Sequence, residues 1–532
     1  METINVKNGK PGQVDSKLNT NILAQYDYII VGAGSAGCVI ARRLLDATEA
    51  NILLIEAGDS HTEIDQITDP LQWLSNIGTT HDYFYRYEPT AHINHRTIIA
   101  PRGKLLGGSG SINAMVWARG NKADYDGWAA AGNKGWDFDS VLPLFKKIED
   151  WEFGETEFHG AGGPIHVETA KEMHRAANAL IEAAVSYGIP YLKDTNGLNS
   201  EGVGPMSMNT LHGKRCSTFT GYLKPVMNSG NLTVLTNTKV TGLAIQDGQC
   251  KGVNFIHDEH YYHIGASSEV ILTAGTIETP RILMLSGIGP AEDLSKIGIL
   301  CSADLPGVGQ NLQDHPLIAG LCFETDGPLG QPTHNLLGSA LYAKSAQETK
   351  TADLMIIPAQ GPLVTDEIGA KHKIPEYGFT LLPTLVKVKS RGFLKMETAQ
   401  FDGPLVIQPN FLADQQDLEA LTDAIELCLD LTAQPAFQTI IKNKVTPGRV
   451  KNRQDIKDFI RDACGTYFHP VGTCAMGSGA AAVVDNHLRV HGISGLRIAD
   501  ASVMPQITSG NTNAPTIMIA EFAANLILAS AR

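Results

Sequence analysis

The residues with the clearest chemical meaning are three glycines and one acid near the N-terminus. Gly32, Gly34 and Gly37 form the pattern G-x-G-x-x-G, and Glu56 follows about 20 residues further on. The first glycine allows a tight turn, the second lets a pyrophosphate approach the backbone, and the third lets a helix pack closely on a strand. Glu56 can accept hydrogen bonds from both hydroxyls of a ribose and would repel a 2′-phosphate. The pattern therefore predicts a dinucleotide site.

The flanking residues predict the elements that such a site requires. Residues 28–31 are a short apolar run typical of a buried parallel strand. Residues 38–46 are typical of a helix, and residues 51–55 predict a second strand that ends at Glu56. The N-terminal N–H groups of the helix would face the phosphates. We therefore predict a complete β-α-β unit, which by itself does not identify the dinucleotide.

Two further glycine-bearing segments carry information about the ligand. Residues 103–113 (GKLLGGSGSIN) have side chains too small to pack a core, and they suit a backbone that lies against a large flat ligand. Residues 275–290 read GTIETPRILMLSGIGP, and residues 468–473 read FHPVGT.

These three segments resemble the glucose–methanol–choline (GMC) oxidoreductase family, and the first two match its two signature patterns residue for residue. The resemblance continues through residues 305–315 (LPGVGQNLQDH), 500–502 (DAS) and 511–513 (NTN), and it extends from about Tyr26 to the C-terminus. Members of the family bind FAD and oxidise alcohols. We therefore expect the α/β class: a Rossmann-like FAD-binding domain and an α+β substrate domain with an antiparallel sheet.

The order of the expected elements favours a cofactor domain assembled from separated segments. We predict an FAD-binding domain from residues 25–150, 226–314 and 461–532, and a substrate-binding domain from residues 151–225 and 315–460. Residues 1–24 are expected to form a flexible extension. A strand followed by a turn is expected at 232–240, further strands at 270–273, 377–382, 393–397 and 496–498, and helices at 414–431 and 516–528.

The resemblance also implies which residues hold FAD. The ADP half is assigned to the dinucleotide motif, the acid and the adenine contact: Gly32, Gly34, Ser35, Ala36, Gly37, Glu56, Ala57 and the backbone of Val240. The isoalloxazine, the ribityl chain and the C-terminal side of the cofactor are assigned to Gly108, Asn113, Ala114, Met115, Val116, Asp500, Ala501 and Thr512. Some members tether the flavin to a histidine in the segment 103–113. This chain has Ile112 there, so we predict non-covalent FAD.

Oxidation of an alcohol requires loss of the O–H proton as the C–H bond gives up a hydride, and histidine is the usual base near neutral pH. The chain has 17 histidines, so residue type alone selects none. The resemblance assigns the base to His469, and Asn513 follows at the spacing of the family's second active-site residue. Asn513 would orient the substrate oxygen. We expect Tyr467 near the flavin face and His315 packed near the domain junction.

Composition excludes several classes of partner. The formal net charge of −14 argues against nucleic acid, which requires a basic surface. No apolar run reaches the roughly 20 residues of a membrane span, and residues 1–21 lack the apolar stretch of a secretory signal. The eight cysteines form no C-x-x-C pair, so we predict neither a metal site nor disulfides, and a cytoplasmic location.

The predicted function is FAD-dependent oxidation of an alcohol, of the primary class, to the aldehyde. Oxygen or an electron carrier would re-oxidise the flavin, and the bulk of Tyr467 favours a dehydrogenase over an oxidase. A hydroxynitrile lyase and a fatty-acid photodecarboxylase use the same scaffold and stay open as alternatives. The alcohol itself is not readable, because the resemblance is weakest in the substrate domain.

Overall fold

The computed structural model describes residues 12–14, 20–199, 201–332, 334–347 and 349–530. Most of the expected N-terminal extension, residues 1–24, lies outside these ranges, and its flexibility stays a prediction. In its described part, Gly12–Val14 and Thr20–Ile22 pair as a short antiparallel ribbon.

The expected β-α-β unit is present. The strand Gln25–Val31 leads into the helix Ser35–Ala47, and the strand Ile52–Ile55 follows. All four residues of the second strand are buried, as is the end of the first strand from Tyr28 onward. Strands buried on both faces read as continuous apolar runs, which is why this unit is recognisable in the sequence.

The first sheet has seven strands. Five of them form a parallel array in the spatial order Leu232–Leu235, Ile52–Ile55, Gln25–Val31, His260–Leu272 and Leu496–Ile498. The N-terminal part of the long strand also pairs antiparallel with Gln249–His257, which pairs with Lys239–Gln246. Because parallel strands require crossover connections, segments far apart in the sequence meet in one sheet.

The helix Ser35–Ala47 packs on this sheet and on the helix Asn513–Ser530, and ion pairs around a buried carboxylate join the two helices. Arg43 in the helix Ser35–Ala47 contacts Glu521 in the helix Asn513–Ser530 at 2.6 Å. The fully buried carboxylate also accepts from Tyr222 and Lys147. Burial alone would raise the pKa of Glu521, but Arg43 and Lys147 hold it below its ordinary value.

The second sheet has eight strands and is antiparallel, as expected. From edge to edge its strands are Asn443–Lys444, Leu321–Glu324, Gly378–Leu385, Leu354–Ala359, Ser339–Ala343 and Gly202–Pro205. Pro316–Ile318 pairs with both Gly378–Leu385 and Cys464–Thr466.

The two faces of the second sheet are buried against different neighbours. Side chains alternate along a strand, so Leu381 points to one face and Leu382 to the other. Leu381 belongs to the main core, where the helices Arg175–Tyr187 and Gln415–Thr432 cover the sheet. Leu382 belongs to a separate apolar cluster that also contains Val116 and Tyr467. This second face encloses a cavity.

The remaining helices are Asp65–Thr68, Pro70–Asn76, Ala91–Ile93, Gly108–Ser111, Lys122–Ala130, Phe138–Ile148, Phe219–Leu223, Lys224–Val226, Gly275–Leu285, Ala291–Lys296, Asp366–Lys371, Pro435–Gln438, Arg453–Ala463 and Ala501–Val503. The remaining strands are Tyr85–Tyr87, Ile98–Ala100, Glu149–Trp151, Ile165–Thr169, Ser207–Met208, Thr210–Leu211, Lys214–Arg215, Ile288–Gly289, Ala303–Asp304, Phe393–Met396 and Leu405–Gln408. Across the described ranges, no helix has both the length and the apolar character needed to cross a bilayer.

The architecture confirms the predicted fold class, with a Rossmann-like parallel sheet and a separate antiparallel sheet. The division of the chain into domains stays a prediction. Cys464–Thr466 belongs to a segment assigned to the FAD-binding domain, yet it pairs with Pro316–Ile318 of the antiparallel sheet. The two expected domains therefore meet just before His469.

Candidate active site

A cavity of about 930 Å³ is lined by residues of both sheets and of the segments that follow their strands. Its size is at the upper end of the range for ligand sites, as a dinucleotide requires. The expected site residues that line it are Gly32, Gly34, Ser35, Ala36, Glu56, Ala57, Gly108, Asn113, Ala114, Met115, Val116, Val240, His469, Asp500, Ala501, Thr512 and Asn513. Gly37 does not line it.

Sheet topology explains why residues from distant parts of the chain meet here. Gly32 and Glu56 directly follow the strands Gln25–Val31 and Ile52–Ile55. Asp500 comes two residues after Leu496–Ile498. The carboxyl ends of parallel strands lie at one edge of a sheet, and ligands of open α/β sheets bind at that edge.

The three motif glycines are required for different reasons. Gly32 has φ +103°, and a Cβ there would lie 2.6 Å from the Thr273 carbonyl oxygen. A Cβ on Gly37 would overlap the Gly32 carbonyl oxygen, so this glycine permits close packing of the helix on the strand. A Cβ on Gly34 would meet no protein atom nearer than 3.9 Å. The space over Gly34 therefore belongs to the cavity, where a phosphate could approach the backbone.

Glu56 is held by the backbone of the dinucleotide turn. One carboxylate oxygen accepts from the N–H of Ala33 at 2.9 Å, and the other accepts from the N–H of Gly58 at 2.9 Å. Each oxygen keeps further capacity to accept a hydroxyl from the cavity. Burial raises the pKa of Glu56 to about 7, although these N–H groups oppose the shift.

The glycine-serine segment lies directly over the dinucleotide turn. A Cβ on Gly108 would lie 2.8 Å from the Cα of Gly34, so only glycine permits this approach. After the turn, Met115 has a positive φ of 55°, and the side chain of Asn113 accepts from its N–H at 2.9 Å and from Arg215 at 2.7 Å. These contacts hold residues 113–116 along the cavity as a fixed strip of backbone.

The C-terminal side of the cavity is fixed by a buried carboxylate. Asp500 accepts from the N–H groups of Gly275 and Ser502 and from the Thr279 hydroxyl, at 2.7–2.9 Å. Burial raises the pKa of Asp500, and these donors oppose the shift. The glycine cradle, the open space over Gly34 and the acceptors on Glu56 fit the ADP half of FAD. In the described part of the chain, no side-chain cluster could hold a metal ion.

The strand Cys464–Thr466 brings His469 beside His315. It pairs antiparallel with Pro316–Ile318, and the N–H of Tyr467 donates to the His315 carbonyl at 2.9 Å. The chain then turns at Phe468, which has φ 65°. As a result the two histidine rings lie perpendicular, with their Nδ1 atoms 3.0 Å apart.

Buried charges fix the backbone around His469. The N–H of His469 donates to Asp314 at 2.8 Å, and the same carboxylate accepts from Tyr87 and Thr466. The guanidinium of Arg102 donates to the Phe468 carbonyl at 2.6 Å. Sparsely populated backbone conformations persist where the surroundings hold them in place, as these contacts do at Phe468.

The surroundings of the His469 imidazole disfavour its charged form. Burial is the largest of three effects that lower its pKa well below the ordinary value, and the others are His315 and Arg102. Burial also lowers the pKa of His315 to about 3. The ring of Tyr467 packs against His469 with a centroid separation of 4.4 Å. A neutral imidazole beside a cavity can accept a proton.

The two expected catalytic residues line the same cavity but contact different neighbours. Asn511, not Asn513, approaches the Nε2 atom of His469, at 3.2 Å. The side-chain oxygen of Asn513 accepts from the Ser35 hydroxyl at 2.7 Å. This bond joins the N-termini of the helices Ser35–Ala47 and Asn513–Ser530 at the cavity.

Three contacts of His469 were not expected from the sequence. Asp314 and Asn511 stand within segments that match the family, but the sequence assigns neither of them a contact with His469, and it predicts only that His315 packs near the domain junction. The domain division stays a prediction, and the structure places His315 directly before the strand Pro316–Ile318, in a hydrogen bond with His469. The adjacent pair Asp314–His315, inside a segment that matches the family, was the available signal.

Comparisons with known proteins agree with this geometry. The N-terminal family model described as "GMC oxidoreductase" matches residues 26–317, and the C-terminal model of the same description matches residues 388–520. An "Alcohol dehydrogenase [acceptor]" of Pseudomonas putida is 36% identical over 94% of this chain and 96% of its own. A "Choline dehydrogenase, mitochondrial" of Homo sapiens is also 36% identical, over 94% of this chain and 90% of its own.

Solved structures share the complete fold. A pyridoxine 4-oxidase from "Mesorbium loti" superimposes with a TM-score of 0.90 at 32% identity, covering 94% of this chain and 98% of its own. A formate oxidase of Aspergillus oryzae, in a structure concerned with FAD modification, has a TM-score of 0.86 at 27% identity over 95% and 98% of the two chains. Sequence, fold and cavity therefore agree that the protein is an FAD-dependent oxidoreductase of the GMC family.

Proposed function

We propose that the enzyme oxidises a primary alcohol to the aldehyde, with His469 as the general base. FAD, when bound, supplies the hydride acceptor at its N5 atom. The observation that carries the proposal is a buried imidazole in the same cavity as the dinucleotide turn, and burial lowers its pKa and so favours the form that can accept a proton. A base and a hydride acceptor must both reach one carbinol group, and a shared cavity meets this requirement.

The hydrogen bonds of His469 with His315 and Asn511 support His469 as an acceptor at Nε2. Because the two Nδ1 atoms are 3.0 Å apart, one of them carries a proton and donates a hydrogen bond, and the other accepts that bond. The Nδ2 atom of Asn511 lies 3.2 Å from Nε2 of His469, and because an amide nitrogen donates, Nε2 would be the acceptor and Nδ1 of His469 would carry the proton. His315 would then accept from the Nδ1–H of His469, which leaves the lone pair of His469 on Nε2.

Asn511 and Asn513 would act on the substrate oxygen in different ways. Asn511 lies 3.2 Å from Nε2 of His469, so the substrate hydroxyl would share or replace this contact. The side-chain oxygen of Asn513 is bound by Ser35, so its amide Nδ2 is the atom that could donate to the developing alkoxide. Both groups are amides and do not compete for the proton.

The proposed placement of FAD follows the cavity from end to end. Ser35, Ala36, Glu56 and Ala57 would hold the ADP half, and Val240 would meet the adenine. The strip from Asn113 to Val116, with Gly108, would lie beside the isoalloxazine and ribityl chain, and Asp500, Ala501 and Thr512 would hold the C-terminal side. Ile112 is an alkyl side chain on the cavity wall and cannot form a bond to the flavin, which supports non-covalent binding.

For the electron acceptor we propose a carrier rather than oxygen. Tyr467 packs on the imidazole and fills space on the substrate side of the cavity, where oxygen would have to approach the reduced flavin. The related "Alcohol dehydrogenase [acceptor]" supports the same choice. A cytoplasmic location also stays a prediction.

The proposal is tested by mixing the holoenzyme with an alcohol in the absence of oxygen. We expect the yellow flavin absorbance to bleach and one aldehyde to form for each flavin reduced. Subsequent addition of air or of a dye acceptor then distinguishes an oxidase from a dehydrogenase. Cleavage of a cyanohydrin without bleaching would support the lyase instead, and light-dependent loss of carbon dioxide from a fatty acid would support the photodecarboxylase.

A further inference from the structure

We propose that the substrate is a neutral alcohol with an apolar carbon chain, and that an alcohol carrying a quaternary ammonium group, such as choline, is a poor substrate. The inference rests on the proposed function, since it concerns the alcohol that His469 would deprotonate. It is drawn from the face that the antiparallel sheet turns towards the cavity.

The cavity wall next to His469 is aliphatic. Leu317, Ile357 and Leu382 come from three neighbouring strands and all lie on the same face of the antiparallel sheet. Val116 and Tyr467 complete this apolar wall, and all five residues line the cavity and are buried. The alternate side chains of these strands point to the opposite face of the sheet, where they pack under the helices. Only the side chains of the cavity face therefore contribute to the wall.

The six carboxylates that line the cavity lie elsewhere. Glu56 and Asp500 are bound by backbone N–H groups on the nucleotide side. Glu278 is bound by the Tyr85 hydroxyl and lies 3.4 Å from Arg281.

The other three carboxylates lie towards solvent. Glu367 pairs with Arg96 at 3.2 Å, and Asp366 and Asp402 are exposed. No carboxylate of the described cavity therefore belongs to the apolar wall, where the carbon chain of a substrate bound at His469 would lie.

The apolar wall disfavours a charged substrate and favours an apolar one. A buried cation without a counter-ion is strongly disfavoured. An aromatic cage could replace the counter-ion, but among the five residues of the apolar wall the one ring is Tyr467, which packs against His469. The other rings that line the described cavity do not belong to this wall: Trp73, Tyr83, Tyr85, Phe401 and Phe468. A methylene group against this wall gains free energy equivalent to about a fourfold fall in Kd.

The most direct test compares two alcohols of the same shape. The holoenzyme is mixed anaerobically with choline or with its neutral isostere, in which a tert-butyl group replaces the trimethylammonium group. Flavin reduction gives a rate constant and a Kd for each. We expect the isostere to bind at least about tenfold more tightly, and we expect Kd to fall about fourfold per methylene along a series of straight-chain primary alcohols.

A pair of variants changes the charge of the wall at one point. Ile357→Asp should improve the Kd of choline relative to the isostere, whereas Ile357→Asn, which has nearly the same shape, should leave the ratio in favour of the isostere. FAD content and thermal unfolding show whether each variant folds. If neither variant folds, the wild-type comparison decides the proposal alone.

The outcomes separate this inference from the proposed function. If choline reduces the flavin as well as the isostere does, or better, the inference is overturned while the proposed function stands. If neither alcohol reduces the flavin but the isostere perturbs its spectrum at lower concentration, the proposed function fails while the apolar site stands. Equal Kd values for short and long alcohols would also overturn the inference.

Discussion

His315 and His469 face each other through their Nδ1 atoms, 3.0 Å apart, next to two paired strands of the antiparallel sheet. Their rings are perpendicular, and both are buried. The contact follows from the pairing of Cys464–Thr466 with Pro316–Ile318, which sets the two histidines side by side. A base held in this way keeps one tautomer, which a base exposed to water would not.

His315 should therefore act as a positioning residue. His315→Ala removes the acceptor for the Nδ1–H of His469, and we expect the rate of anaerobic flavin reduction to fall roughly 10- to 100-fold, the scale of one lost buried hydrogen bond. His315→Asn supplies an oxygen acceptor close to the same place and should recover much of the rate. The measurement is stopped-flow flavin reduction at saturating alcohol, with FAD content determined for each variant.

Equal losses in the two His315 variants would contradict this role. A residue that only fills space would respond to the volume removed, so asparagine, which is larger than alanine, would also recover some rate without any role as an acceptor. His315→Leu keeps nearly the volume of histidine and offers no acceptor, so a positioning residue must lose in leucine the rate that it recovers in asparagine.

The rate of flavin reduction in the wild-type enzyme should depend little on pH near neutrality. Burial, His315 and Arg102 lower the pKa of His469, so the form able to accept a proton persists as the pH falls and is lost only on passing through the lowered pKa. We expect a constant rate from about pH 6.5, the ordinary pKa of histidine, to about pH 9. A decline centred at or above pH 6.5 would show that the base is another group or that His469 is solvated.

FAD affinity should depend on pH through Glu56. Its pKa is raised to about 7 in the folded protein, and ribose hydroxyls favour the ionised carboxylate, so binding releases a proton. The Kd of FAD for the apoprotein should therefore fall as the pH rises towards 7, by up to about tenfold per unit, and level off above it. Glu56→Gln cannot ionise and should bind FAD weakly at every pH. Titration by flavin fluorescence measures both, and a pH-independent wild-type Kd would contradict the assignment.

Alanine at two motif glycines should have opposite consequences. A Cβ on Gly34 meets only the cavity, so Gly34→Ala should leave the thermal unfolding of the apoprotein unchanged while raising the Kd of FAD at least about tenfold. A Cβ on Gly37 would overlap backbone, so Gly37→Ala should destabilise the apoprotein itself. Full FAD affinity in Gly34→Ala would show that the phosphates lie elsewhere.

The sequence predicts an element well when the apolar pattern of its own residues is enough to identify it. The strand Leu496–Ile498 has the expected bounds, and the helix Ser35–Ala47 begins at the motif. The strand Gly378–Leu385 was expected to end earlier, and all eight of its residues are buried. Because both faces are buried, its residues show no polar alternation, and nothing in the sequence says which face meets the helices and which meets the cavity.

In the site, too, features that depend on a short segment were predictable, and features that depend on the tertiary structure were not. The resemblance to the family selected His469, and the residue pattern itself selected the dinucleotide motif, since both depend on short segments. The approach of Asn511 to Nε2 and of Ser35 to Asn513 depends on how the chain turns before the helix Asn513–Ser530, which the order of two nearby asparagines does not reveal. The His315 contact depends on strand register across the domain junction.

The base assigned to His469 is tested most directly by anaerobic flavin reduction in His469→Ala with FAD bound. Removal of a general base lowers the rate by roughly two to four decades, and we expect a loss of that size with one FAD retained per chain and unchanged spectral response to substrate binding. A rate within about threefold of the wild type, at the same FAD content, would contradict the proposed mechanism.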